Sequence, residues 1–150
     1  MKAILIATDG SPSAREAVEF GLDLASESGA VVTFVTVVPE VDIAPFGGLG
    51  MAAAVPHELH DADEKPLDEA LELAEQAGVK AHRRLLRGSP VDEIVAFADG
   101  VDADLIVVGS RGHGSVASAL LGSVSRGILR EARRPVLVVR GVAAHVVAAV

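Results

Sequence analysis

Apolar residues along the chain gather into five short runs, and the segments between the runs space their apolar residues as helices do. Residues 3–7, Ala-Ile-Leu-Ile-Ala, make the first run, which is continuous rather than alternating and stops at the turn signal Thr8-Asp9-Gly10. That pattern predicts a strand buried on both faces. A second strand is predicted over residues 30–38, rich in β-branched side chains, and a third, less cleanly alternating, over 79–86. Residues 104–108 form a fourth run that breaks sharply at Gly109, and residues 135–139 a fifth.

Four helices fit between these runs. The first has Ser13 as its expected N-cap, with Glu16 three residues on, and sets Ala14, Val18, Leu22 and Ala25 on one face before Gly29 stops it. The second ends near Ala77 and turns Leu67, Leu71 and Ala74 inward; Pro66 is expected in its first turn, because a deeper proline would break it. Ser89-Pro90 opens the third, where Asp92 and Glu93 suit the positive end of the helix dipole. The fourth runs from about Val116 or later to Ala132. Alternating strands and helices with strands this apolar predict an α/β fold, a single doubly wound sheet of five parallel strands flanked by four helices. Two stretches fall outside the alternation. Residues 39–56 are broken by Pro45, Gly47, Gly48, Gly50 and Pro56 and predict a long irregular loop, while the apolar tail 141–150 is expected to add an edge strand, to bury itself in a partner or to stay loose, its apolarity favouring an oligomer contact over disorder.

Open parallel sheets bind ligands beyond the carboxyl ends of their strands, where the strand order reverses. Two such ends carry polar and glycine chemistry: Thr8-Asp9-Gly10-Ser11 after the first strand, and Gly109-Ser110-Arg111-Gly112-His113-Gly114-Ser115 after the fourth. The second cluster extends through Gly122-Ser123-Val124-Ser125, giving the pattern Gly-x2-Gly-x9-Gly-Ser. Glycines let backbone amides approach an anion, a following helix N-terminus adds a positive dipole end, and the Ser123 and Ser125 hydroxyls can donate to phosphate oxygens. The pattern is not a Walker loop, since no Gly-Lys-Ser or Gly-Lys-Thr occurs, and it lacks the spacing of a dinucleotide fingerprint.

Composition narrows the ligand. A net charge of −8, no Trp or Tyr and only four Phe argue against a nucleic-acid surface. The absence of cysteine removes disulfides, thiolate metal sites and a thiol nucleophile. No stretch reaches the roughly 18 apolar residues of a membrane span, and the chain opens on no signal-like segment, so a cytoplasmic location is expected. His57, His60 and Asp61 cluster beside the irregular stretch; they are read as a solvated helix entry, a metal site needing three or four fixed ligands. His113 has no identifiable catalytic partner, and no nucleophile elbow surrounds Ser11 or Ser13.

From residue 4 to about residue 139 the chain resembles the universal stress proteins. The resemblance rests on Gly109, Gly112, Gly122 and Ser123 in the glycine pattern, on Ile-Ala-Thr-Asp-Gly-Ser near the start and on Arg-Arg-Pro-Val-Leu-Val-Val near the end. It implies the strand order 3-2-1-4-5, membership of the ATP-binding branch, ATP held with Mg²⁺, and a homodimer paired through the fifth strand. It also implies that Asp9 hydrogen-bonds adenine or ribose, that Ala7, Val37 and Val108 line the base pocket, and that Gly109, Ser110 and Gly112 pass close to ribose and phosphates. Gly122, Ser123, Val124 and Ser125 would then hold the phosphates, with the Arg111 guanidinium within reach of them. The domain would occupy residues 1–140, followed by the tail. Beside an ATP-binding signalling module stand two other readings: a slow ATPase or nucleotidyl-transfer enzyme of the same ancestry, and a partner-binding dimer with no nucleotide.

Overall fold

The computed structural model describes residues 1–112 and 121–140, so the tail and the centre of the glycine-rich loop, His113 included, lie outside the described residues. Eleven elements follow one another: β1 (Ala3–Ala7), α1 (Pro12–Ser28), β2 (Val31–Val38), β3 (Val41–Pro45), β4 (Ala52–Pro56), α2 (Asp61–Gln76), β5 (Ala81–Arg87), α3 (Pro90–Gly100), β6 (Leu105–Gly109), α4 (Ser123–Glu131) and β7 (Val136–Val139). The main sheet has the order β5-β2-β1-β6-β7, all neighbours parallel. Counted within that sheet, this is the expected 3-2-1-4-5.

Alternation along the strands divides the core between two faces. Ile4 and Ile6 of β1 and Phe34 of β2 pack with Val18 and Leu22 of α1 and Leu67 and Ala70 of α2. Leu5, Val35, Ile106 and Val108 point the opposite way, toward Ile94 and Ala98 of α3 and Ile128 of α4. Both faces being covered, β1 and β6 need apolar residues at nearly every position, which is why they read as unbroken runs. β5 lies at the edge, and its exposed His82, Arg83 and Arg84 explain the poorer alternation of that segment.

Three local expectations are corrected. The α1 cap is Ser11, whose Oγ accepts from the Ala14 amide at 3.2 Å, with Pro12 at the first helical position; Ser13 is thereby released for another task. Pro66 sits inside α2, because that helix begins at Asp61. It cannot donate to the Ala62 carbonyl one turn back, and the helix carries that loss in exchange for burying Leu67, Ala70 and Ala74.

The third correction concerns residues 39–56, which are no irregular loop. β3 and β4 pair antiparallel in full register, from Val41 opposite Pro56 to Pro45 opposite Ala52. A two-stranded ribbon consists only of edges, so prolines at its strand ends remove no needed donor. Gly47, Gly48 and Gly50 take φ values of 71°, 91° and 71° in the turn, the left-handed region that glycine enters freely. The glycines that read as breakers are the turn, and the prolines are strand ends. Ile43, Phe46, Leu49 and Met51 stand exposed on this hairpin.

The N-terminus is tied down by one carboxylate. Asp104 Oδ2 accepts from the Lys2 amide at 2.6 Å and the Ala3 amide at 2.9 Å, and these two bonds, Lys2 first, hold the Asp104 carboxyl below its ordinary range. A depressed folded-state pKa contributes stability above the unfolded value and loses it as pH falls through the folded one. Asp104→Asn is therefore expected to lower the thermal midpoint at about pH 7 and to lose that deficit in acid, below the folded-state pKa of the carboxyl. Melting curves at both pH values check this; an equal deficit at both would remove the carboxylate's charge from the explanation.

Candidate functional site

β1 pairs with β2 on one side and with β6 on the other, so the crossovers leave β1 in opposite directions and a crevice opens beyond its carboxyl end. On the β1 wall, the Thr8 amide donates to the Val35 carbonyl at 2.9 Å and prolongs the ladder. Asp9 Oδ1 accepts from the Ser11 amide at 2.9 Å, and this side-chain turn directs the backbone into α1.

On the β6 wall, the Ser110 amide continues the ladder to the Val139 carbonyl at 2.9 Å. The Ser110 carbonyl then receives the Gly122 amide at 2.7 Å and the Ser125 hydroxyl at 3.1 Å. Both ends of the segment leaving β6 at residue 111 and returning at residue 121 are thus fastened to one peptide group. Ser13 joins the walls: its Oγ accepts from the Arg111 amide at 3.2 Å and lies 3.4 Å from Ser110 Oγ.

Two glycines are required by this closeness. A Cβ at Gly109 would lie 2.6 Å from the Ser13 carbonyl oxygen, and one at Gly112 would lie 2.5 Å from Asp9 Oδ2. Gly109 serves the approach of β6 to α1, a different demand from the ribose contact expected of it.

Between the walls lies a cavity of about 260 Å³. Ala7, Val35, Val37, Val108, Pro90 and Ile94 give it an apolar side, while Thr8, Asp9, Thr36, Arg111 and residues 122–125 give it a polar one. α4 begins there, with Gly122 as its N-cap in extended conformation, so the first-turn amides of Ser123, Val124 and Ser125 lie at the cavity. Among the described lining residues Asp9 is the one anion and Arg111 the one cation. That set contains no histidine, no second carboxylate and no lysine with which Asp9 could form an acid–base pair.

Of the residues singled out in the sequence, Ala7, Asp9, Val37, Val108, Gly109, Arg111, Gly112, Gly122, Ser123, Val124 and Ser125 all line this one cavity. Ser110 does not: it is buried, and it bonds to Ser13, Gly122 and Ser125 behind the wall. Ser125 reaches the cavity, but its hydroxyl donates to the Ser110 and Gly122 carbonyls, each at 3.1 Å. It is a strut of the loop rather than the hydroxyl donor expected for a phosphate. Thr8 was named with its strand-end cluster but given no role, and Ala14, Val35, Thr36, Pro90 and Ile94 were missed. Val35 was within reach of sequence reasoning, being two residues from Val37 on the same strand face. Pro90 and Ile94 were not, since only the docking of α3 brings them there.

The histidine cluster is also rearranged. His57 is no solvated helix entry: its side chain is 12% exposed, and it lies between Asp42 and Asp63, with Asp61 taking no part.

A family model described as the universal stress protein family matches residues 1–140. A universal stress protein of Methanocaldococcus jannaschii is 39% identical over 142 residues, covering 93% of this chain and 82% of that protein. Among solved structures, a universal stress protein in complex with cAMP superposes with a TM-score of 0.69 at 31% identity, covering 92% of this chain and 95% of that one. The universal stress protein of Archaeoglobus fulgidus in complex with dAMP superposes with a TM-score of 0.65 at 28% identity, covering 92% and 96%. The five-stranded sheet, its strand order and the match over the whole described domain make this chain a member of the universal stress protein family.

Proposed function

We propose that the chain is a nucleotide-binding signalling module that holds an adenine nucleotide, ATP in the first place, in the crevice between β1 and β6. The observation that carries this reading is the division of one cavity into an apolar side and an amide-lined side. A purine ring needs flat apolar contact, which Ala7, Val37 and Val108 offer, and a ribose needs a hydrogen-bond acceptor, which Asp9 offers. Phosphates need N–H donors and positive potential, which the α4 N-terminus and Arg111 offer together. Mg²⁺ would arrive with the phosphates, as it does where one or two carboxylates and a nucleotide share it.

The relatives solved with cAMP and dAMP support a purine nucleotide and favour a second reading, in which the resident ligand carries a single phosphate. Homodimerisation through β7 belongs to the same proposal, because among the described residues β7 ends the sheet, and an edge strand can pair with a second copy.

Calorimetric titration of the full chain with Mg²⁺-ATP, AMP and cAMP tests the proposal. Saturable binding is expected, weakened at least about tenfold by Asp9→Ala, which removes the acceptor, and by Gly122→Val, which sets an isopropyl group on the N-cap that lines the cavity. No binding of any of the three would refute it; binding of AMP or cAMP alone would select the second reading. Mg²⁺-dependent phosphate release abolished by Gly122→Val would instead identify an enzyme.

A further inference from the structure

A second group of polar side chains lies at the root of the β3–β4 hairpin, and none of them lines the crevice. His57 follows β4 directly. Its Nδ1 lies 2.9 and 2.8 Å from the two carboxylate oxygens of Asp42 on β3. Its Nε2 lies 3.0 Å from Asp63 Oδ2 in the first turn of α2. His60, the N-cap of α2, sets its ring 6.3 Å from that of His57, and its amide donates to the same Asp63 oxygen at 2.9 Å. One ligand-capable atom from each of His57, His60 and Asp63 falls within 4.8 Å of the other two.

We infer that His57, His60 and Asp63 form a binding site for a divalent transition-metal ion, zinc being the best match, with Asp42 as the outer carboxylate that orients His57. The donor set is the first reason. Two imidazole nitrogens and one carboxylate oxygen suit zinc and its neighbours, whereas calcium and magnesium require oxygen-rich shells.

The orientation of His57 is the second reason. A carboxylate on Nδ1 keeps the proton there and turns the Nε2 lone pair outward, the arrangement by which metal-bound histidines are held. Asp42 is in that position.

Distance is the third reason. Zinc with bonds of about 2.0–2.1 Å in tetrahedral geometry separates two ligands by about 3.3 Å. The Nε2–Oδ2 separation of 3.0 Å therefore has to open by only a few tenths of an ångström. His60 is exposed and is the ligand that would turn in. Three protein ligands leave the fourth position to water. Because His57 belongs to the hairpin side and His60 and Asp63 to α2, the ion would fasten one to the other.

The test is a zinc titration of the full chain, first stripped with a chelator, followed by calorimetry and by NMR of the histidine rings. One equivalent is expected to bind, with the His57 and His60 ring signals shifting together while His82 on β5 stays unchanged. His60→Ala, which leaves the Asp42–His57–Asp63 contacts in place, is expected to weaken binding at least about tenfold, and Asp42→Ala about 10–100-fold although Asp42 touches no metal. His57→Ala is expected to abolish binding; should that variant not fold, His60→Ala decides. Absence of saturable binding, or equal affinity in the parent and His60→Ala, overturns the site. Unchanged affinity in Asp42→Ala overturns the orienting role.

Discussion

Gly109→Val is expected to lower the free energy of unfolding by about 3 kcal/mol, near the upper end for an overpacked site, and to abolish nucleotide binding. A Cβ at this position would lie 2.6 Å from the Ser13 carbonyl oxygen and 2.7 Å from both its carbonyl carbon and its Oγ. Two of those atoms are backbone, so no rotamer change relieves the contact; the first turn of α1 has to move away from β6. That movement pulls Ser13 Oγ off the Arg111 amide and away from Ser110, opening the seam that joins the two walls of the crevice. Gly112→Ala provides the contrast, because among the described residues its Cβ would meet the Asp9 carboxylate, the end of a side chain rather than backbone. It should fold nearly as well as the parent while losing affinity. Urea unfolding combined with nucleotide titration separates the two cases, and a Gly109→Val protein with an unchanged midpoint would show that the seam has slack.

Phe34→Ala is expected to be still more damaging to stability, by about 3–5 kcal/mol. Phe34 is 0% exposed at the middle of β2 and is the largest fully buried side chain among the described residues. It packs on the face shared with α1 and α2, where Ile4 and Ile6 are held by the sheet and Leu67 by α2, so they cannot collapse fully into the vacated space. A domain of this size has roughly 5–15 kcal/mol in hand, so the variant should be marginal at about 37 °C. Ile43→Ala removes about half as much hydrocarbon from the hairpin, where the residue is 72% exposed, and should change stability by no more than about 0.5 kcal/mol. Equal destabilisation by the two would mean that the hairpin is packed against something in solution.

These expectations depend on neighbours that differ in how far a sequence can disclose them. The unbroken apolar runs in β1 and β6 announce strands covered on both faces, because nothing but a doubly covered parallel sheet buries every position. Asp9 and the glycine cluster announced a ligand end by their chemistry, the family resemblance added Ala7, Val37 and Val108, and eleven of the twelve residues so named line one cavity. The hairpin escaped notice for a physical reason: proline and glycine signal breakage in a central strand, yet they are compatible with a ribbon that is all edge and turn. Ser13 escaped for a related one, since Ser11 and Ser13 are equivalent as capping residues until the path of the chain selects between them.

What the sequence determined by itself is the set of elements whose periodicity follows from burial, together with the two strand ends that carry polar chemistry. Periodicity is local: it is written by the side of each residue that faces the core. What only the tertiary structure decided is which groups face one another across the chain. The Ser13 and Gly109 seam brings together residues 96 positions apart, and the Asp42–His57–Asp63 contacts join a hairpin to a helix entry. Ser125 reads as a phosphate donor in sequence and becomes a strut in space, because its hydroxyl finds the Ser110 carbonyl first. Such contacts depend on the docking of whole elements, and no spacing along the chain encodes the distance between two surfaces that meet only after folding.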